Sequence, residues 1–376
     1  MKILILGGSF DPPHRGHLAL LCAAWRVVRP DLALMLPARR SPFKASAPAP
    51  EGERSRMLHL ALGALPGPLR AKVRISRLEL DTRRPSYTVN TLERLRRLHP
   101  GAELHFALGS DSARSLDRWK DPARLRRLCR WWTAARPGGE DSRPSGFRAI
   151  PGRMPDISSS EIRRRLAYGD DASKLLPAEV SSYIMRRGLY GVDRLRRLHR
   201  KLSAERFAHS LAVARLAEKL ALRWGVDGEA ARLAGLLHDI GRSIPPALMP
   251  GYARKHRLPV PELDRVAELA PLLCHAYISE SLAQREFGIR DRGVLSAIRK
   301  HTLGGLRMSE LDRVLYIADS VSEDRDYPEA APIRKLAFQD ARAAFKACVR
   351  QKIAHALSSQ SWLHPLTVRL WNSIAD

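Results

Sequence analysis

The chain has 376 residues and a formal net charge of +26. That length suggests two domains with ample core, and the charge favours anionic partners such as nucleotides. There is no apolar run long enough to span a bilayer, no signal-peptide pattern at the start and no Cys-x-x-Cys pair among Cys22, Cys129, Cys274 and Cys348, so a cytoplasmic setting with reduced thiols is expected. Arginine is spread evenly, with no aromatic-interleaved basic stripe, and a general arginine bias accounts for the charge at least as well as nucleic-acid binding does.

Residues 3–6 form an apolar run closed by glycines, the pattern of a buried strand, and the apolar run at 18–28 is long enough for a helix. Between them lies Gly7-Gly8-Ser9-Phe10-Asp11-Pro12-Pro13-His14-Arg15-Gly16-His17. A strand, a tight turn and a helix start is where a parallel α/β sheet holds phosphate. The paired glycines let backbone approach a ligand, and free N–H groups at the helix start face an anion. His14 and His17 are three residues apart and share a face of the first turn. The P-loop pattern with its lysine is missing. Two histidines suit a transfer in which charge builds on a phosphoryl group without a covalent intermediate.

Residues 32–37 read as a second strand, followed by a basic loop in which Lys44 meets either a substrate phosphate or solvent. A loop at 45–52, a helix at 53–62 and a strand from Val73 come next. The segment 84–92 crosses into a helix with Thr88 as N-cap. Residues 103–108 form a strand ending at Gly109-Ser110-Asp111, Trp119 lies on a helical approach, and 130–135 form a further strand before a polar loop at 139–146. This alternation predicts a doubly wound parallel sheet. Ser158 with Glu161 fits a capping box, and at the same helix start serine hydroxyls, N–H groups and Arg163 converge on phosphate. A closing helix at 175–190 is punctuated by Gly188 and Gly191, which places the joint between domains 1–190 and 192–376.

Beyond the joint helices replace alternation. His209 shares helical spacing with Ala212, Val213, Leu216 and Leu220. A helix at 229–240 ends in Leu236-Leu237-His238-Asp239-Ile240-Gly241. His275 shares a face with Leu272, Ile278 and Leu282; His301 follows Val294 and Ile298; Asp319 stands four after Leu315. Polar residues gathered on apolar faces need a compensating cation, and histidine with carboxylate suits iron, manganese or zinc. Asp239, beside His238, can bridge two ions.

The opening string resembles the nucleotidyltransferases with an H-x-G-H motif, among them the nicotinate-nucleotide adenylyltransferases, over about residues 1–190. The resemblance implies a Rossmann-like fold and adenylyl transfer from ATP, with Mg2+, to nicotinate mononucleotide, giving nicotinate adenine dinucleotide and pyrophosphate in NAD biosynthesis. It implies an ATP site of Gly7, Gly8, Ser9, Phe10, His14, His17, Ser159, Ser160 and Arg163, with His14, His17 and Arg163 catalytic. It places the pyridine nucleotide against Lys44, Ser86, Tyr87, Thr88, Asp111 and Trp119, whose indole suits stacking on the ring. Phe43 stands where that family often has histidine. Another acceptor, such as pantetheine phosphate or nicotinamide mononucleotide, is the alternative.

From Val192 nearly to the end, Ala231-Arg232-Leu233-Ala234-Gly235-Leu236-Leu237-His238-Asp239, Ile298-Arg299-Lys300-His301-Thr302-Leu303-Gly304 and Tyr316-Ile317-Ala318-Asp319 resemble the YqeK-type HD-domain phosphohydrolases. That resemblance implies an all-α HD domain that hydrolyses diadenosine tetraphosphate to two ADP at two transition-metal ions, iron or alternatively manganese. His209, His238, Asp239 and Asp319 then bind the first ion, and His275 and His301, with the bridging and catalytic Asp239, bind the second. Lys300 and Arg325 either steady the polyphosphate or face solvent. Ile278-Ser279-Glu280, Ser322-Glu323 and Glu329 depart from that branch, which leaves a metal-bound nucleotide sensor without catalysis as the alternative. No oligomeric state follows from the sequence.

Overall fold

The computed structural model describes residues 1–39, 49–81, 87–135, 144–152 and 154–375. Lys44 and Ser86 lie outside them. The chain divides into two units, Met1–Asp193 and Arg194–Asp376. Among the described residues no helix is long and apolar enough to cross a membrane.

The first unit runs β1 (Lys2–Gly8), α1 (Arg15–Val28), β2 (Leu32–Pro37), α2 (Glu51–Gly63), β3 (Val73–Ile75), α3 (Thr88–Leu98), β4 (Glu103–Gly109), β5 (Arg130–Ala134), β6 (Phe147–Ile150), α4 (Ser159–Tyr168) and α5 (Ala178–Arg187), with shorter turns between. The described strands pair in parallel, in the order β3-β2-β1-β4-β5-β6. The chain winds outward from β1 through β3, then returns to the other side of β1. The crevice beyond the carboxyl ends of β1 and β4 is therefore the switch point where such sheets bind ligands. Residues 3–6 read as one continuous apolar run because both faces of β1 are covered. Leu4 and Leu6 pack with Leu21, Met57, Leu58 and Ile162, while Ile3 and Ile5 pack with Leu92, Leu95, Phe106 and Leu125.

The structure corrects several local expectations in this unit. Extended Tyr87 holds the N-cap position of α3, so Thr88 is its first helical residue and no side chain caps it. The closing helix is two pieces: α5 stops at Gly188, in the left-handed region at φ 63°, and a separate turn, Leu189–Gly191, follows. β6 was not anticipated; only its end residues, Phe147 and Ile150, are buried, so the segment lacks the apolar run of the inner strands. The capping box at α4 is half formed. Ser158 accepts the Glu161 N–H at 3.1 Å, but the Glu161 carboxylate pairs with Arg164 and Arg165.

Among its described residues the second unit is helical. Its longer elements include α6 (Ala204–Arg223), α7 (Gly228–Leu237), α8 (His275–Arg285), α9 (Arg292–Lys300), α10 (Glu310–Val321) and α11 (Ala341–Ser358). Asp227, Asp291 and Ser309 cap α7, α9 and α10 by accepting first-turn N–H groups. α6 and α7 approach closely at Gly235, where a Cβ would lie 2.6 Å from the Ala214 Cα. α7 ends at Leu237, earlier than expected, so His238 and Asp239 follow it on a turn that continues through Ile240–Ser243. That turn can lie against α8 because Gly241 leaves room for the His275 carbonyl. His275 opens α8, and Leu272, in the preceding turn, is 38% exposed, so the two do not form one apolar helical face.

Candidate active sites

In the first unit the turn after β1 brings the two histidines together at the switch point. His14 is the N-cap of α1 and His17 its third residue, with ring centroids 3.7 Å apart. The His14 N–H donates to His17 Nδ1 at 3.2 Å, and Phe10 packs its edge on His17 at 4.9 Å. Gly16 makes room for this pair: a Cβ there would lie 3.0 Å from His14 Nδ1. At Gly7 a Cβ would meet Phe106 at 2.9 Å, so that glycine lets β1 pack on β4.

The start of α4 closes on the same turn. The Ser159 hydroxyl donates to the Pro12 carbonyl at 3.0 Å, and Arg163 donates to the Asp11 carbonyl at 2.7 Å and to Ser160 Oγ at 3.2 Å. Gly7, Gly8, Ser9, Phe10, His14, His17, Ser159, Ser160 and Arg163 thus gather around one turn. Asp111 pairs with Arg114 at 2.5 Å. Trp119 is half-buried, set edge-on to Trp131 at 6.3 Å, and its Nε1–H donates to Ser115.

Arg54 was missed by sequence reasoning. It is 2% exposed, and its guanidinium donates to the carbonyls of Ser9 (2.8 Å), Ala38 (2.7 Å), Ala49 (3.0 Å) and Arg39 (3.2 Å). It ties the turn after β1 to the end of β2 and the start of α2. Asp11 is held on the same side by the Tyr190 hydroxyl, which donates at 2.7 Å. The signal was present: Arg54 falls on the helical stripe of Met57, Leu58 and Ala61.

In the second unit the six expected ligands converge from five helices or their ends. His238, His275 and His301 donate Nδ1–H to the carbonyls of Gly235, Leu272 and Ile298 at 2.6–2.7 Å. Those bonds fix the tautomers, so each Nε2 presents a lone pair to the centre. Asp239 Oδ1 lies 3.3 Å from His275 Nε2 and 3.8 Å from His301 Nε2, while Asp239 Oδ2 lies 3.8 Å from His238 Nε2. Asp319 Oδ1 lies 3.3 Å from His209 Nε2 and 3.6 Å from His238 Nε2. His209, His238 and Asp239 form one group that could hold a metal ion, and Asp239, His275 and His301 form another.

Two observations fit that role. The His238 Nε2 is buried without a hydrogen-bond partner among the described residues. The Nε2 atoms of His275 and His301 are 3.0 Å apart, and both rings have committed their Nδ1–H elsewhere. Facing lone pairs repel, yet two nitrogens each roughly 2.1 Å from one ion, at right angles to it, lie about 3.0 Å apart.

The electrostatics agree. Burial lowers the pKa of His238, takes His275 down to about 4 and puts His301 well below the ordinary value. Burial works against the charged form of Asp239, but His238, His275, Arg242 and His301 outweigh it and hold the carboxyl below its usual range. Asp319 is likewise depressed, against burial, by His209, Lys352, His238 and His301.

Sequence reasoning missed four neighbours. Arg206 and Arg242 reach Asp239 at 3.5 and 2.9 Å, Lys352 lies 3.6 Å from Asp319, and Asp324 accepts from His209 at 2.6 Å. Arg206 precedes His209 by three on α6, so helical spacing could have flagged it, whereas Arg242 follows Asp239 on the turn after α7. Arg325 does reach the centre, 2.9 Å from Asp319, whereas the Lys300 ammonium is engaged by Asp312 and the Arg307 carbonyl.

Comparison with known proteins agrees with both halves. The Cytidylyltransferase-like family matches residues 5–165 and the HD domain family matches residues 206–324. A Mycoplasma pneumoniae protein named "Probable nicotinate-nucleotide adenylyltransferase/Ap4A hydrolase" is 28% identical over 91% of this chain and 96% of its own length. A Thermus thermophilus protein named "Probable nicotinate-nucleotide adenylyltransferase" is 40% identical over 50% of this chain and all of its own. The crystal structure of a predicted HD superfamily hydrolase involved in NAD metabolism, from Clostridium acetobutylicum, matches 49% of this chain and 96% of its own with 29% identity and a TM-score of 0.45. The chain therefore belongs to the nicotinate-nucleotide adenylyltransferase family of enzymes and carries, after that part, an HD domain.

Proposed function

We propose that the first unit transfers the adenylyl group of ATP to nicotinate mononucleotide, and that the second hydrolyses a dinucleoside polyphosphate, with diadenosine tetraphosphate as its substrate. The observation that carries the first reading is the pair of imidazoles 3.7 Å apart at the carboxyl end of β1, faced by the start of α4. The phosphate oxygen of nicotinate mononucleotide forms a bond to the α-phosphorus of ATP as the bond to pyrophosphate breaks. His14 and His17 meet the charge that develops on the phosphates, and Ser159, Ser160 and Arg163 hold the same phosphates from the other side. Mg2+ carried with ATP neutralises part of that charge. Tyr87, Thr88, Asp111 and Trp119, with Lys44 and Ser86, hold the pyridine nucleotide. The test is turnover of ATP with nicotinate mononucleotide. The parent gives nicotinate adenine dinucleotide and pyrophosphate, and His17→Ala loses about a hundredfold, the effect of one such donor. Unchanged turnover by His17→Ala would refute the assignment.

For the second unit, His209, His238, Asp239 and Asp319 hold one cation, and Asp239, His275 and His301 the other. Iron is proposed, with manganese the alternative. When bound, such ions polarise phosphoryl oxygens and lower the pKa of bound water. The chain's own part is to fix each ring through its Nδ1–H and to bring Arg206, Arg242 and Arg325 to the centre, where guanidinium suits phosphate. Metal-loaded protein is expected to convert diadenosine tetraphosphate to two ADP, and failure to cut it would refute the substrate.

A further inference from the structure

The four site histidines are not held alike. His238, His275 and His301 stand at helix ends and use main-chain carbonyls. His209 lies inside α6, where carbonyls of the preceding turn already accept helix bonds. It donates its Nδ1–H to the Asp324 carboxylate at 2.6 Å. A charged acceptor on one ring nitrogen makes the other a stronger ligand than a carbonyl does. The carboxylates are uneven as well. Asp319 Oδ1 serves His209 and His238 at 3.3 and 3.6 Å, and Asp239 Oδ2 adds a contact to His238 at 3.8 Å, whereas among the described residues the carboxylate oxygen facing His275 and His301 is Asp239 Oδ1, at 3.3 and 3.8 Å, with the Thr302 hydroxyl 3.1 Å from His275 Nε2. Arginines stand on both halves: Arg242 lies 2.9 Å from Asp239, which the two halves share, and Arg325 lies 2.9 Å from Asp319 and 3.5 Å from His209 Nε2.

Resting on the reading of this unit as a two-cation centre, we propose that Asp324 is a positioning residue for His209 that makes the two halves unequal. The His209–His238–Asp319 half takes its cation first and holds it. The His275–His301 half fills second and exchanges. Asp324 is 40% exposed, so it can be replaced without opening the core.

The test is titration of the metal-stripped full chain with Mn2+, followed by calorimetry and by the electron paramagnetic resonance of bound manganese. The parent is expected to fill in two steps separated by at least roughly tenfold in affinity. Asp324→Ala removes the acceptor and weakens the first step by roughly ten- to a hundredfold, with the second unchanged. Asp324→Asn keeps an acceptor but loses the charge, making His209 like the other three, and falls between. Thermal unfolding of each stripped variant checks that it is folded. Two equal steps in the parent, an Asp324→Ala curve that overlays the parent, or a loss confined to the second step overturns the proposal. A parent that binds no manganese overturns the two-cation reading beneath it, a result distinct from the other three.

Discussion

Replacing Arg54 by methionine tests the account of the first site. The side chain is 2% exposed, and its four hydrogen bonds, of 2.7–3.2 Å, all end on main-chain carbonyls around the turn after β1. A hydrogen bond to a charged group contributes about 1.5–3 kcal/mol net. Four such bonds on one group do not add, and water can reach carbonyls released at the edge of the sheet. The loss should therefore resemble that of breaking one buried ionic group, about 3–5 kcal/mol. Asp11 is left nearby without the opposing guanidinium, which pushes the cost upward. The assay is denaturant unfolding of the full chain, with adenylyl transfer measured where the variant remains folded. Stability should fall by that amount, and kcat should fall because the carbonyls of Ser9 and Ala38 are no longer pinned. Arg54→Lys, with three donors and no fork, should lie between. A methionine variant within about 1 kcal/mol of the parent, with normal kcat, would refute the reasoning.

Gly235→Ala puts a methyl group against the Ala214 main chain, which forces α7 off α6; overpacking of this kind costs about 1–3 kcal/mol, and the second unit should bind less metal while adenylyl transfer is unchanged. Chelation should lower the melting temperature of the second unit, and Mn2+ or Fe2+ should restore it by binding the folded form alone. Metal-free protein should keep its stability above pH 6.5 and lose it as the pH falls from there towards 4. His275 has a folded pKa of about 4, below its unfolded value, and His238 and His301 are also depressed, so the unfolded chain takes up the protons. His209, raised chiefly by Asp319 against the pull of burial, works the other way, so melting scans at pH 7.5 and 5 should show a net loss in acid.

The parts that could be read from sequence are those with a repeating spacing or a short string. The strand at 3–6 and the turn through His17 were visible, as were the six polar residues of the second unit: His209 and Asp319 by helical spacing, and His238-Asp239 as a short string, although that pair stands on a turn and His275 shares no apolar face with Leu272. β6 was not visible, since an edge strand with two exposed central residues has no apolar run. Thr88 was misplaced as a cap because Tyr87 ends the extended segment without using its side chain. Asp324 could not have been found from spacing. It lies beyond α10, 115 residues from the histidine it supports, and only tertiary packing brings them together. Arg54 and Lys352 were missed although each sits on an apolar stripe, because a lone cation there reads as an interruption until its acceptors are seen.

The account rests on two separate phosphorus chemistries in one chain, and crossed product analysis tests it most directly. The full chain, His17→Ala and His238→Ala are each given ATP with nicotinate mononucleotide, and separately diadenosine tetraphosphate with metal, and the products are resolved by chromatography. The account predicts that the parent makes nicotinate adenine dinucleotide and ADP, that His17→Ala loses only the first, and that His238→Ala loses only the second. Either product persisting at the parent's rate in the variant meant to abolish it would contradict the account.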